Sequence, residues 1–211
     1  MDSSVQATAP SLVLYDFPLS GHCHRVRLFL SLLGLPYQTI FVDLPAREQK
    51  GPAFLALNPF GQIPVLRDAE LTISDSNAIL VYLAAKYASE SWLPRDPRGA
   101  AGVQRWLSIA AGELVRGPVT ARALAVFKRP GDPSAARTIA DQLFRHMNDH
   151  LHHTSFLAGG DPTIADVAFY AYVARAPEGG IELEPFDHLR AWLTRIEALP
   201  GFVAMPHAPG L

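Results

Sequence analysis

The 211-residue sequence holds a single cysteine, Cys23, which excludes an internal disulfide framework and any zinc site built on several cysteines. A reducing compartment fits that scarcity. Charge is sparse too, at 18% of residues, and nearly balanced, with 18 Lys+Arg against 20 Asp+Glu. Without a basic excess, nothing points to nucleic acid or to anionic lipid. Long apolar runs are missing: charge-free stretches such as Gly51 to Leu66 are broken by Pro52, Pro59 and Pro64 and fall short of the roughly 20 residues of a membrane span. No basic residue precedes Arg25, so no signal peptide is expected. What the chain has is 49% hydrophobic residues, enough for a sizeable core, which excludes wholesale disorder. These features predict a cytoplasmic protein.

The apolar period changes several times in the first 88 residues. Leu12 to Phe17 reads as a buried strand, and Val26, Leu28, Phe29, Leu32 and Leu33 recur at helical spacing until Gly34 and Pro36. Tyr37 to Val42 is a second strand candidate, and Glu48 to Leu57 a short helix. Ile63 to Leu66 and Leu71 to Ile73 form a hairpin about Asp68-Ala69-Glu70, and a third helix runs from about Asp75 to Tyr87. The order β-α-β-α-β-β-α implies a right-handed crossover, a parallel pair and an antiparallel edge. A polar, Pro-containing stretch, residues 89–99, reads as a linker. Four helical patterns follow in residues 100–211, around Val103–Leu114, Ile139–Leu151, Ile164–Ala171 and Leu189–Ile196, with Thr163 and Asp166 placed as a capping box. The expected fold is an α/β domain over 1–88 joined to an all-helical one.

Three segments bear on chemistry. Ser20 stands between a strand and a helix start, where free N–H groups and the dipole favour an anion such as a thiolate. Read alone, it is more simply an N-cap. In Asn58-Pro-Phe-Gly-Gln-Ile63-Pro64, a cis bond before Pro64 would present the Ile63 backbone to an extended peptide; the alternative is a proline opening a strand. Ser74-Asp75-Ser76-Asn77 opens the third helix, where N–H groups can bind a carboxylate and Asp75 an ammonium group, or where Ser74 or Asp75 is simply a cap.

Taken together, these segments resemble the soluble glutathione transferases, over about Leu12 to Phe202. The likeness implies a thioredoxin-like domain followed by a helical one, with glutathione as co-substrate and no metal. It implies that Ser20 is the catalytic serine of the phi, theta, zeta and delta-like classes. Gln62, Ile63 and Pro64 match the segment that contacts the glutathione backbone, and Asp75-Ser76 the pair that grips the γ-glutamyl end. Gln49 and Lys50 fall where the phi class contacts the glycine carboxylate, with Gln49 replacing a histidine. The resemblance also implies a homodimer and a small, largely apolar electrophile, held beside His22, Trp106, Ile109, Ala110, Glu113 and Arg116. The same scaffold also admits a glutathione-dependent peroxidase, isomerase or dehalogenase, or a non-catalytic glutathione-binding regulator. Cys23 offers a mixed disulfide if exposed, or else a packed thiol. His146, His150 and His153 lie along one helix edge, with a polar surface cluster favoured over a metal site.

Overall fold

The computed structural model describes residues 12–210; the segment in which no signal peptide was expected lies partly outside them, before residue 12. Four strands form one mixed sheet in the order β2-β1-β3-β4: β1 (Leu12–Asp16), β2 (Tyr37–Phe41), β3 (Val65–Asp68) and β4 (Leu71–Ser74). β1 runs parallel to β2, with Leu12 opposite Tyr37 and Asp16 opposite Phe41, as the crossover through α1 (Gly21–Leu32) requires. β3 is antiparallel to β1 and to β4.

Local chemistry explains where the elements begin. Pro64 has no N–H to donate, and β3 starts one residue after it rather than at Ile63. The segment 48–57 is not one helix: a 3-10 turn at Glu48–Lys50 gives way at Gly51 to α2 (Pro52–Leu57), which Pro52 opens at its first position. Asp75 lies just outside α3 (Ser76–Tyr87) and caps it, its Oδ1 accepting from the Asn77 and Ala78 N–H groups at 2.9 Å each. Residues 89–99 hold a 3-10 turn at Glu90–Trp92 and, from Pro97, the first turn of α4.

The helical part contains α4 (Pro97–Ala111), α5 (Thr120–Val126), α6 (Ser134–Leu151), α7 (Ile164–Ala174) and α8 (Asp187–Glu197). Its centre is α7, buried from Ile164 to Val173 because neighbours cover it on all sides. Asp166 anchors it. Its carboxylate accepts from the Thr163 and Leu157 N–H groups and from Trp192 Nε1, all at 2.9 Å, so the capping box also ties α8 to the loop before α7. One cluster of buried side chains, including Leu14, Phe29, Leu80, Trp106 and Phe169, runs through both parts, and α1 and α3 pack directly on α7. That contact fixes the mouth of the α/β layer against the helices.

Between α4 and α5 lies a π-helical turn at Val115–Val119 containing Gly117 and Pro118. Proline cannot continue the normal ladder, so the chain swings there and α5 leaves in a new direction. The sequence reading contained neither this turn nor α5.

Candidate active site

Ser20 caps α1: its Oγ accepts from the Cys23 N–H at 3.2 Å, while its own N–H donates to the Phe17 carbonyl at 2.9 Å. A capping serine spends a lone pair and keeps its O–H, so the cap and the donor roles are compatible. Gly21 follows. A Cβ there would fall 2.5 Å from Cζ of Tyr172, so only glycine lets α7 close this far on the start of α1. Tyr172 stacks edge-on against His22, with ring centroids 5.1 Å apart.

Behind His22 lies Arg25, buried at 1% exposure and without a carboxylate in hydrogen-bond reach. Its Nη1 donates to His22 Nδ1 (3.1 Å), Ser76 Oγ (3.0 Å) and Asn77 Oδ1 (3.2 Å). Burial pulls its pKa down to about 10, so it stays charged at neutral pH. Arginine only donates, so Nδ1 of His22 accepts and the ring proton sits on Nε2. Burial, then the Arg25 charge, pushes the His22 pKa down to about 3, which keeps the ring neutral. Ser76 accepts from Arg25, and its own proton can turn to His22 Nδ1, 3.3 Å away, or to a ligand in the cavity.

The loop after α2 is built by two residues. Buried Asn58 receives the Phe60 N–H (3.1 Å) and donates to the Gln62 carbonyl (2.7 Å). Gly61 has φ +58°, and a Cβ there would lie 2.7 Å from the Gln49 carbonyl and 2.9 Å from Lys50 Nζ. Lacking one, it allows Lys50 to approach and donate to the Phe60 carbonyl at 3.0 Å. The Ile63–Pro64 peptide is cis. Asp75 has φ +73° and ψ 124°, a sparsely populated conformation at the start of α3.

These residues meet in one cavity of about 940 Å³ between the two parts of the molecule, within the range of small-molecule sites. Ser20, His22, Gln49, Lys50, Gln62, Ile63, Pro64, Asp75 and Ser76 all line it. The opposite wall differs from the expected one. Trp106 is 4% exposed and packs in the core, its ring 5.5 Å from Phe169 and 5.2 Å from His150. Ile109 packs on the same core, and neither it nor Ala110 reaches the cavity. Glu113 points outward into a 2.6 Å ion pair with Arg116. The physical reason is the π-helical turn, which brings Val115, Val119 and α5 to the cavity in place of the face of α4. The wall consists of Val115, Val119, Thr120, Arg122, Ala123, Leu124, Phe127 and Arg129, with Tyr172 from α7. The Gly117-Pro118 pair was the sequence signal for that break; Arg122 and Tyr172 had none.

Cys23 is fully buried, and burial followed by the Asp16 charge pushes its thiol up to about 12. It has none of the exposure that a reactive thiol needs. Of the three histidines, His150 reaches the Leu157 carbonyl at 2.9 Å and His146 the Gln142 carbonyl at 2.7 Å. His153 stacks on His152, which contacts His188 at 3.1 Å. Among the described residues no three or more His, Cys, Asp or Glu side chains are grouped to hold a metal ion.

The chain matches the glutathione S-transferase N-terminal domain over residues 19–86 and the glutathione S-transferase C-terminal domain over 90–195. It is 37% identical over 206 residues to glutathione S-transferase 3 of Zea mays, covering 90% of this chain and 91% of that one. The structure superposes on a glutathione S-transferase from Pseudomonas fluorescens with a TM-score of 0.86 at 32% identity, covering 93% of this chain and 99% of that one. A glutathione transferase homologue from Drosophila mojavensis, solved with bound glutathione, gives 0.80 at 27% identity over 90% and 88%. The chain belongs to the glutathione S-transferase family.

Proposed function

We propose that this protein transfers the glutathionyl group to a small electrophile, with Ser20 stabilising the attacking thiolate. The observation that carries the reading is the convergence, in one cavity, of a serine at a helix start with cationic, backbone and acidic grips spaced along the adjoining loops. Lys50 meets the glycine carboxylate. The Gln62–Pro64 segment runs beside the peptide backbone, and Asp75 and Ser76 take the ammonium and carboxylate of the γ-glutamyl end. Arg25, through Ser76, supplies buried positive charge behind that carboxylate.

The magnitudes suffice without a general base. Lowering a thiol pKa by two units takes about 2.7 kcal/mol. A hydrogen bond to a charged group contributes about 1.5–3 kcal/mol, and a helix N-terminus about 0.3–2 kcal/mol. The thiol proton leaves to solvent; the sulfur then attacks an electrophilic carbon lying against Val119, Ala123, Leu124 and Phe127. As the carbon–sulfur bond forms, the bond to the leaving group breaks, releasing halide to solvent when the acceptor is an aryl halide. That wall suits an acceptor with an apolar body. We place the enzyme in the cytoplasm as a homodimer; Phe60, 78% exposed beside Lys50, is the kind of side chain such an interface covers.

The test is conjugation of a chromogenic aryl halide. Ser20→Ala should lower kcat about 10²-fold with the glutathione KM little changed. Unchanged kcat in Ser20→Ala would remove the serine from the reaction.

A further inference from the structure

We propose that Arg122, on α5 of the helical part, is a positioning residue for Ser20, resting on the reading that Ser20 stabilises the thiolate. Arg122 is 2% exposed and donates from Nη1 to the Leu19 carbonyl at 2.9 Å, across 103 residues of sequence. Leu19 and Ser20 share that peptide group. Its other end is also held, the Ser20 N–H donating to the Phe17 carbonyl at 2.9 Å. A trans peptide is rigid and directs its C=O and N–H to opposite sides, so two bonds fix its plane. The rotation of that plane sets where the Ser20 Cα–Cβ bond points, and therefore where the hydroxyl proton can be delivered. One of the two bonds comes from the helical part.

Arg122 is itself braced. Its Nε donates to Glu178 at 2.7 Å, and the other Glu178 oxygen accepts the Ala208 N–H at 3.1 Å. The carboxylate pairs directly with Arg122 and more distantly, at 3.8 Å, with Arg175 Nε, so Arg122 acts on Ser20 by orientation rather than as an unpaired charge. Two bonds from one planar guanidinium to acceptors in different directions require arginine, since a lysine ammonium is a point donor on a flexible stem. The α/β part therefore carries the serine but does not aim it alone.

The α/β grips on glutathione do not pass through Arg122, so its loss should separate binding from activation. A lone Arg122→Met leaves Glu178 buried without its main partner and risks the fold. Arg122→Met/Glu178→Gln removes both charges together, and the glutamine still accepts from Ala208. The readout is the pKa of glutathione bound to the full-length protein with no acceptor present, titrated beside Ser20→Ala.

The expected result is a bound-thiol pKa about one unit higher in the double variant, with a thiolate fraction about threefold smaller near neutral pH and about tenfold smaller well below both pKa values, and the glutathione Kd within about threefold of the parent. Adding the pair of changes to Ser20→Ala should raise the pKa no further, because both act through one hydroxyl. A parental pKa in the double variant, with a raised one in Ser20→Ala, would overturn the positioning role and leave Ser20 in place. A parental pKa in Ser20→Ala itself would overturn the serine reading and this inference with it.

Discussion

Gly21→Ala sets two effects of similar size against each other. Alanine favours a helix over glycine by about 0.5–1 kcal/mol, and α1 begins at this residue. At the first helical position most of that gain is forfeited. Against it stands a Cβ placed 2.5 Å from Tyr172 Cζ and 2.8 Å from both Cε atoms, well inside contact distance. The ring has little room to retreat. It is 5% exposed, with His22 at 5.1 Å and the Arg25 guanidinium 5.5 Å from its centroid. Overpacking of this kind costs about 1–3 kcal/mol, so the net expectation is a loss of about 1–2 kcal/mol. For a chain of this length that lowers Tm by about 3–6 °C. Calorimetry on Gly21→Ala tests the loss, and the cycle with Tyr172→Leu tests its cause. Leucine puts no atom at the Cζ position, so Gly21→Ala should then cost about 1 kcal/mol less. An equal or higher Tm in Gly21→Ala, or the same cost in both backgrounds, would refute the argument.

Two further predictions concern titratable groups. His24 is buried and donates to the Val203 carbonyl, and burial pushes its pKa down to about 4; His22, whose edge opens on the cavity, is pushed down to about 3. Unfolded histidines titrate near 6.5, so between these values the unfolded chain binds more protons. Stability from this source is complete above pH 6.5 and is lost as the pH falls, by up to about 1.4 kcal/mol per pH unit for His24 and less for partly wetted His22. Urea midpoints should fall from pH 6.5 to 5, less steeply in His24→Gln; a flat or rising midpoint would contradict the assignment. Cys23 should resist a thiol-specific reagent in the folded protein and react once in denaturant. Rapid stoichiometric labelling of the native chain would mean that the thiol is not sealed as described.

The α/β part was legible because its signals are local. Strand and helix periods differ, Gly34 and Pro36 stop α1, and a two-residue turn joins β3 to β4. The α/β side of the cavity followed for the same reason, since Ser20, the Asn58–Pro64 segment and Asp75-Ser76 are each compact in sequence. The helical wall of the cavity was not legible. It depends on a π-helical turn that redirects the chain, and α5, only seven residues long, carries too few positions to show a period. Periodicity ran the first helix of the helical part on to Leu114, and the family resemblance, not the period, put Trp106 and Glu113 beside the thiol. Arg122 and Tyr172 reach the site only through tertiary packing, 103 and 151 residues after Leu19 and Gly21, and no spacing rule connects such pairs.

In the proposed mechanism Ser20 stabilises a thiolate at the start of α1. The most direct measurement is a pH titration of the thiolate ultraviolet absorbance of glutathione bound to the parent protein and to Ser20→Ala. The bound thiol should titrate about two units below free glutathione in the parent and return most of the way in Ser20→Ala, matching the roughly 1.5–3 kcal/mol of one charged hydrogen bond. Identical, lowered pKa values in both proteins would assign activation to another group, and an unshifted pKa in the parent would contradict activation altogether.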